Sequence, residues 1–174
     1  MNLTRIPRRA AAAASTALLA GGLLLAGGAG ATVASSAGFP EAISPGEQQA
    51  MLAETNGIRQ ENGQPPLTWD AGLATQAQGW ADDPKSAAGN RLNHSTANVA
   101  ENISSVGPPG AVGQWAAEKG AYDAAGPNYD TDSASYADWG HYYNMVQPTY
   151  TKMGCGAKSG VSVPGGWVTV CQYS

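Results

Sequence analysis

An α+β fold is predicted by three features of this 174-residue chain. Capped helical segments fill its first two thirds, two apolar strands close it around Val163-Pro164-Gly165-Gly166, and one cysteine stands on each side of that turn. Helices first and an antiparallel hairpin last is the α+β order, and no internal repeat competes with it.

The first segment is set apart from the fold. Met1 to Arg9 carries Arg5, Arg8 and Arg9 and no acid, and small and apolar residues follow through Ala37. A basic, then apolar, then small-residue order is that of a secretory signal, with a cut after Ala31 or Ala37; a membrane anchor is the alternative reading of the same stretch. Arg8-Arg9 lacks the bulky apolar residues that closely follow a twin-arginine signal. This divides the chain into a signal (1–37), a short linker (38–44) and one domain (45–174), secreted and read as a monomer. Removal of the signal takes away three of nine bases and no acid. Thirteen acids then face six bases, a net charge of about −7. That balance offers no basic patch for nucleic acid and no charge-driven hold on anionic lipid.

The elements follow in order. Ser44-Pro45-Gly46-Glu47 is a capping box with proline at the first helical position, so a helix runs from there to about Asn62, where Asn62-Gly63 stops it. Met51, Leu52, Thr55 and Ile58 form its apolar stripe, with Asn56 and Arg59 at the edge. A loop through Pro65-Pro66 leads to Leu67-Thr68-Trp69, and Asp70 caps a second helix that continues to Asp83. Its face of Leu73, Ala74, Ala77, Trp80 and Ala81 is small enough to let another element approach closely. Residues 84–93 read as irregular and deliver His94 from a loop. A strand is expected near Asn102–Ser104, then a Pro/Gly loop, then a third helix over Ala111–Asp123. Residues 123–139 read as a solvated acidic loop, since Asp130-Thr131-Asp132 lacks the spacing and closing glutamate of a calcium loop. A short helix begins at His141 and ends near Gln147-Pro148. Strands over about Lys152–Lys158 and Gly166–Tyr173 finish the chain. Folding them about the turn sets residues whose numbers total 326 opposite each other, including Cys155 and Cys171. An exported chain with two cysteines is expected to pair them, which contributes about 3 kcal/mol by restricting the unfolded state.

Two features point to a site. The two histidines sit in short polar motifs, His94-Ser95-Thr96-Ala97-Asn98-Val99-Ala100-Glu101-Asn102-Ile103 and Gly140-His141-Tyr142-Tyr143-Asn144. Histidine titrates nearest neutrality and is the commonest metal ligand. On the third helix Trp115, Glu118 and Tyr122 share a face, so an inward-facing Glu118 needs a partner such as a histidine, a metal or a backbone donor. A solvent-facing Glu118 and merely hydrogen-bonded histidines are the alternatives.

Together these motifs resemble the CAP superfamily, the cysteine-rich secretory proteins, antigen 5 and pathogenesis-related 1 proteins, also called the SCP domain. The resemblance is carried by His94 with Glu101-Asn102-Ile103, Trp115 with Glu118 and Tyr122, Gly140-His141-Tyr142, Gly154-Cys155-Gly156 and Val170-Cys171-Gln172-Tyr173. It spans about Pro45 to Ser174, and Asn56, Arg59 and Leu67-Thr68-Trp69-Asp70 fit its opening. It implies a three-layer α-β-α sandwich with a central antiparallel sheet and a cleft lined by two histidines and two glutamates. Residue by residue these fall on His94, Glu101, Glu118 and His141. His94 and His141 would hold Zn²⁺ or another divalent cation, with Glu101 and Glu118 orienting the rings from behind. Asn102, Tyr142 and Asn144 would complete the cleft. Ala100, Asn144 and Gln147 depart from the glycine, glutamine and tryptophan common at these places in the family.

The resemblance leaves three classes of function. One is a secreted binding or effector protein for a lipid, glycan or protein ligand. Another is a metal-dependent extracellular hydrolase acting on peptides, with Glu101 or Glu118 as general base. The third is a structural cell-envelope protein with an inert cleft. No His-Glu-x-x-His helix is present, two histidines fall one short of the usual catalytic zinc set, and Ser95 adjoins His94 too closely for the two to form a nucleophile–base pair. Binding is therefore the expected role.

Overall fold

Ser44 caps the first helix as its sequence dictates. Its hydroxyl accepts from Glu47 N at 3.3 Å, and the Glu47 carboxylate reaches back to Ser44 N at 2.8 Å. The computed structural model describes residues 43–126 and 130–174, so the expected signal and most of the linker lie outside the described residues. The elements are α1 (Pro45–Glu61), β1 (Thr68–Trp69), α2 (Ala71–Asp82), β2 (Ala100–Ser104), α3 (Gly110–Ala116), α4 (Lys119–Ala125), α5 (Gly140–Val146), β3 (Lys152–Ser159) and β4 (Trp167–Tyr173). The four strands form one sheet in the order β1-β3-β4-β2. β3 and β4 pair antiparallel, as do β2 and β4, while the two-residue β1 runs parallel to β3. The antiparallel sheet expected thus carries one short parallel edge.

Side-chain alternation along β4 divides the molecule into layers. Val168 and Val170 pack with Ala77 and Ala81 of α2 on one face. Cys171 and Tyr173 join Met51, Trp115, Tyr142 and Met145 from α1, α3 and α5 on the other. The result is an α-β-α sandwich. Cys155 and Cys171 are directly opposed across β3 and β4 and are bonded, the pairing that the turn position predicts. Among the described residues no helix is long and apolar enough to cross a membrane.

Two long-range devices hold the layers. α2 lies directly on the β3 backbone because Gly154 and Gly156 have no side chains; a Cβ on Gly156 would sit 2.2 Å from Gln78 N. There Gln78 completes the strand edge, accepting from Ala157 N at 3.0 Å and donating to Ala157 O at 2.9 Å. On the other side Arg59 is fully buried rather than at the stripe's edge. It donates to the carbonyls of Pro65 (2.8 Å), Met145 (2.9 Å), Gln147 (2.8 Å) and Tyr150 (3.0 Å).

Several local expectations are corrected. The third helix breaks into α3 and α4 at Ala117–Glu118, where Glu118 N bonds Trp115 O three residues back and the turn tightens. Residues 84–87 form a 3₁₀ turn capped by Asp83, and Ala134–Asp138 form another inside the acidic loop.

Candidate functional site

Each histidine is held by one glutamate through the same ring atom. His94 Nδ1 lies 2.9 Å from Glu101 Oε1, and His141 Nδ1 lies 2.6 Å from Glu118 Oε1. The first pair is built by the chain's entry into β2: His94 comes from the loop and Glu101 from the strand. The second is built by the break between α3 and α4. That break lets Glu118 accept from His141 N at 3.0 Å and Tyr142 N at 3.2 Å, the first free amides of α5. Trp115 stacks on the His141 ring with centroids 6.1 Å apart. Glu118 therefore has the histidine and backbone partners that its half-buried position requires.

Both carboxylates are fully engaged. Glu101 accepts from His94, from Ser95 N (2.9 Å) and Oγ (2.6 Å), and from Gln172 Nε2 (3.0 Å). Burial pushes its carboxyl up, but the bonds from His94, Ser95 and Gln172 outweigh that and hold it at about 2. Its folded value is thus depressed, so the stabilisation is present above the ordinary value near 4.5 and is lost as pH falls towards 2. In the metal-free protein, the stability gap between wild type and Glu101→Gln should shrink by about 3 kcal/mol across that window. Urea unfolding at several pH values between 5 and 2 measures it, and a gap independent of pH would refute the assignment.

His94, Glu101, His141 and Asn144 line one open cleft of about 450 Å³. Glu118 lies behind His141 rather than on the cleft wall. Two other expected cleft residues are corrected. Asn102 and Tyr142 are fully buried. Asn102 donates to His141 O at 2.9 Å and accepts from Asn144 Nδ2 at 2.9 Å, and the Tyr142 hydroxyl accepts from Asn62 Nδ2 at 2.8 Å. They support the wall instead of forming it. The opposite wall, missed in the sequence, comes from the acidic loop: Thr131, Ser133, Ala134, Tyr136 and Ala137.

The donor chemistry suits a cation within limits. An ionised carboxylate only accepts, so Nδ1 is the donor in each pair and, in a neutral ring, Nε2 is the atom with the free lone pair. Neither Nε2 has a hydrogen-bond partner among the described residues. Among those residues, no group of three or more His, Cys, Asp or Glu side chains is placed to ligate one ion. The two imidazoles alone would leave most positions on a cation open, unlike the four-ligand set of a closed structural site.

The sequence profile of the cysteine-rich secretory protein family, CAP, matches residues 52–173. Pathogenesis-related protein 1 of Arabidopsis thaliana is 33% identical over 130 residues, covering 72% of this chain and 74% of that protein. The secreted protein RBT4 of Candida albicans is 34% identical over 128 residues, covering 72% of this chain and 34% of that protein. The crystal structure of hookworm platelet inhibitor aligns with a TM-score of 0.55 at 19% identity, over 79% of this chain and 73% of that one. That last likeness is one of fold.

Proposed function

The chain belongs to the cysteine-rich secretory protein (CAP) family, and from that premise we propose that it is an exported binding protein whose cleft takes its ligand with a divalent cation held by His94 and His141. One observation carries the choice of binding over hydrolysis: both carboxylates are spent on holding imidazoles. A general base works best with a pKa near the operating pH. Glu101, held at about 2 by four donors, is far from that. Ser95 Oγ is bound to the same carboxylate and to no imidazole, so it has no base to activate it. The bound cation would supply a Lewis-acidic point for an oxygen of the ligand. The chain's own part is to fix both rings by Nδ1 and leave both Nε2 atoms available. Export rests on the basic-apolar-small leader and on the secreted relative.

The test starts with protein recovered from the culture medium, whose N terminus should follow Ala31 or Ala37. Metal-free protein is then titrated with ZnCl₂ by calorimetry at neutral and mildly acidic pH. Zinc should bind at neutral pH and weaken in acid, because protons compete with the metal for each imidazole. His141→Ala should abolish binding, and Glu118→Gln should weaken it about 10–100-fold. Equal affinity at both pH values, or full binding by His141→Ala, would refute the site. Turnover of fluorescein-labelled casein by the zinc-loaded protein would favour the hydrolase.

A further inference from the structure

The cleft at the histidines is one end of a longer groove. A second cavity of about 470 Å³ shares His94, Glu101, Tyr136 and Asn144 with it and adds Tyr143 and Tyr150. A third, also about 470 Å³, shares Ala97, Val99, Ala100 and Tyr150 with the second and ends at Ser174. The three cavities therefore adjoin through shared walls, from His141 past the start of β2 to the end of β4.

Its lining restricts what can occupy it. Three half-buried tyrosines, Tyr136, Tyr143 and Tyr150, line the second cavity, with the Tyr136 and Tyr143 rings edge to face and centroids 6.0 Å apart. Burial pushes the hydroxyls of Tyr136 and Tyr150 above their ordinary values, so both remain neutral donors at neutral pH. Ser95, Asn98, Thr131, Asn144 and Thr149 add uncharged hydrogen-bonding groups. Among the described residues no lysine or arginine lines any of the three cavities. A sulfated or phosphorylated polymer, or an anionic headgroup, would thus meet no cation in the groove beyond one held at the histidines. An acyl chain would find Ala97, Val99, Ala100, Ala134 and Ala137, all small, interrupted by hydroxyl and amide groups in an open channel. Strand addition by a peptide is disfavoured, because α5 already takes one acceptor of β2: Asn144 Nδ2 donates to Glu101 O at 3.4 Å. Residues 98 and 99, which precede that edge, are bends.

We infer that the groove binds an extended, uncharged oligosaccharide, its pyranose rings lying against Tyr136, Tyr143 and Tyr150 and its hydroxyls bonding the Ser, Thr and Asn side chains. This rests on the binding reading of the cleft and names its ligand class. Tyrosine suits the task because it offers a large, rigid face and a polar tip at little cost in conformational entropy.

The probes are cellohexaose and the N-acetylglucosamine hexamer, titrated calorimetrically into the whole mature protein with and without zinc. At least one should bind, and bind about tenfold or more tighter than its own disaccharide, since only the longer chain extends from one cavity into the next. Tyr136→Ala should weaken the hexamer about five- to tenfold. Ala97→Trp, which fills the junction of the second and third cavities, should reduce hexamer affinity to that of the disaccharide, with circular dichroism checking the fold of both variants. Failure of both neutral hexamers would overturn the inference. So would preference for a heparin hexasaccharide or for a neutral Ser/Val hexapeptide. Zinc binding on the same preparation separates the outcomes: zinc bound without sugar overturns this inference alone, and neither bound overturns both readings.

Discussion

Replacing Arg59 with methionine should cost about 3–5 kcal/mol of folding stability, the loss typical when one side of a buried charged interaction is removed. The guanidinium is fully enclosed and has no carboxylate partner in its hydrogen-bond set; four carbonyl oxygens replace its hydration instead. Met145 and Gln147 lie at the C-terminal end of α5, where unpaired carbonyls carry partial negative charge. Buried ion pairs can often be exchanged for apolar residues because both partners are replaced together. Backbone carbonyls cannot be replaced, so the methionine variant takes the donor from all four; Gln147 O keeps Tyr150 N at 3.4 Å, and each of the others costs about 1–3 kcal/mol where no water reaches it. Arg59→Lys keeps the charge but offers three donors from one point to acceptors on three segments, and should fall between wild type and Arg59→Met. Urea unfolding of the three proteins decides it, and a methionine variant within 1 kcal/mol of wild type would refute the account. The effect should extend to the site. α5 is anchored at its C-terminal end by Arg59 and at its start by Glu118, so a loosened α5 carries His141 with it and zinc affinity should drop in the same variant.

Gly156→Val should destabilise the protein by about 3 kcal/mol or more, at or beyond the upper end of ordinary overpacking. The new Cβ alone would lie 2.2 Å from Gln78 N and 2.3 Å from Gln78 Cα. Those are backbone atoms of α2, so no side-chain rotation relieves the overlap and the helix must lift. Lifting breaks both bonds between Gln78 and Ala157 and opens the packing of Ala77 and Ala81 on Val168 and Val170. Gly57→Ala is the control. It lies in α1 with nothing within 4 Å of its built Cβ, and alanine there should leave stability unchanged or raise it by about 0.5–1 kcal/mol. Hydrogen exchange of α2 amides should accelerate in Gly156→Val and stay unchanged in the control. Wild-type unfolding by Gly156→Val would refute the close-packing argument.

What was legible in the sequence was decided locally. Ser44 and Asp70 cap their helices from within four residues, and the hairpin register follows from its own turn. The β2 strand was placed but shortened, since Ala100 and Glu101 belong to it. What escaped was decided by distant partners. The carbonyls that bury Arg59 on α5 and beyond lie 86–91 positions away, and nothing in α1 announces them. The break at Glu118 reflects an attachment 23 positions on, at the start of α5. The cleft was half legible. The two histidine–glutamate pairs were marked by residue type, yet Asn102 follows Glu101 along a strand, and a period of two sends neighbours to opposite faces. That alternation excludes Asn102 from the surface Glu101 shares with His94. The loop from Thr131 to Ala137 read as solvated because its acids dominate, while Tyr136, seven residues before Tyr143, was the available signal for a wall.

The enclosure of Asn102 also governs how the protein can be produced. Asn102-Ile103-Ser104 and Asn93-His94-Ser95 both match the acceptor pattern for N-linked glycans. In the folded chain neither amide is available: Asn102 is fully buried, and Asn93 Nδ2 donates to the carbonyls of Lys85, Ala88 and Arg91. A host that attaches such glycans during translocation reaches both nitrogens before these bonds form. A branched sugar on Asn102 would then have to be accommodated between β2 and α5, where Asn144, His141 and Tyr173 meet it. Native protein therefore calls for a secretion host without N-glycosylation, or for substitution of Ser95 and Ser104 at the cost of their own contacts with Glu101 and Gln114.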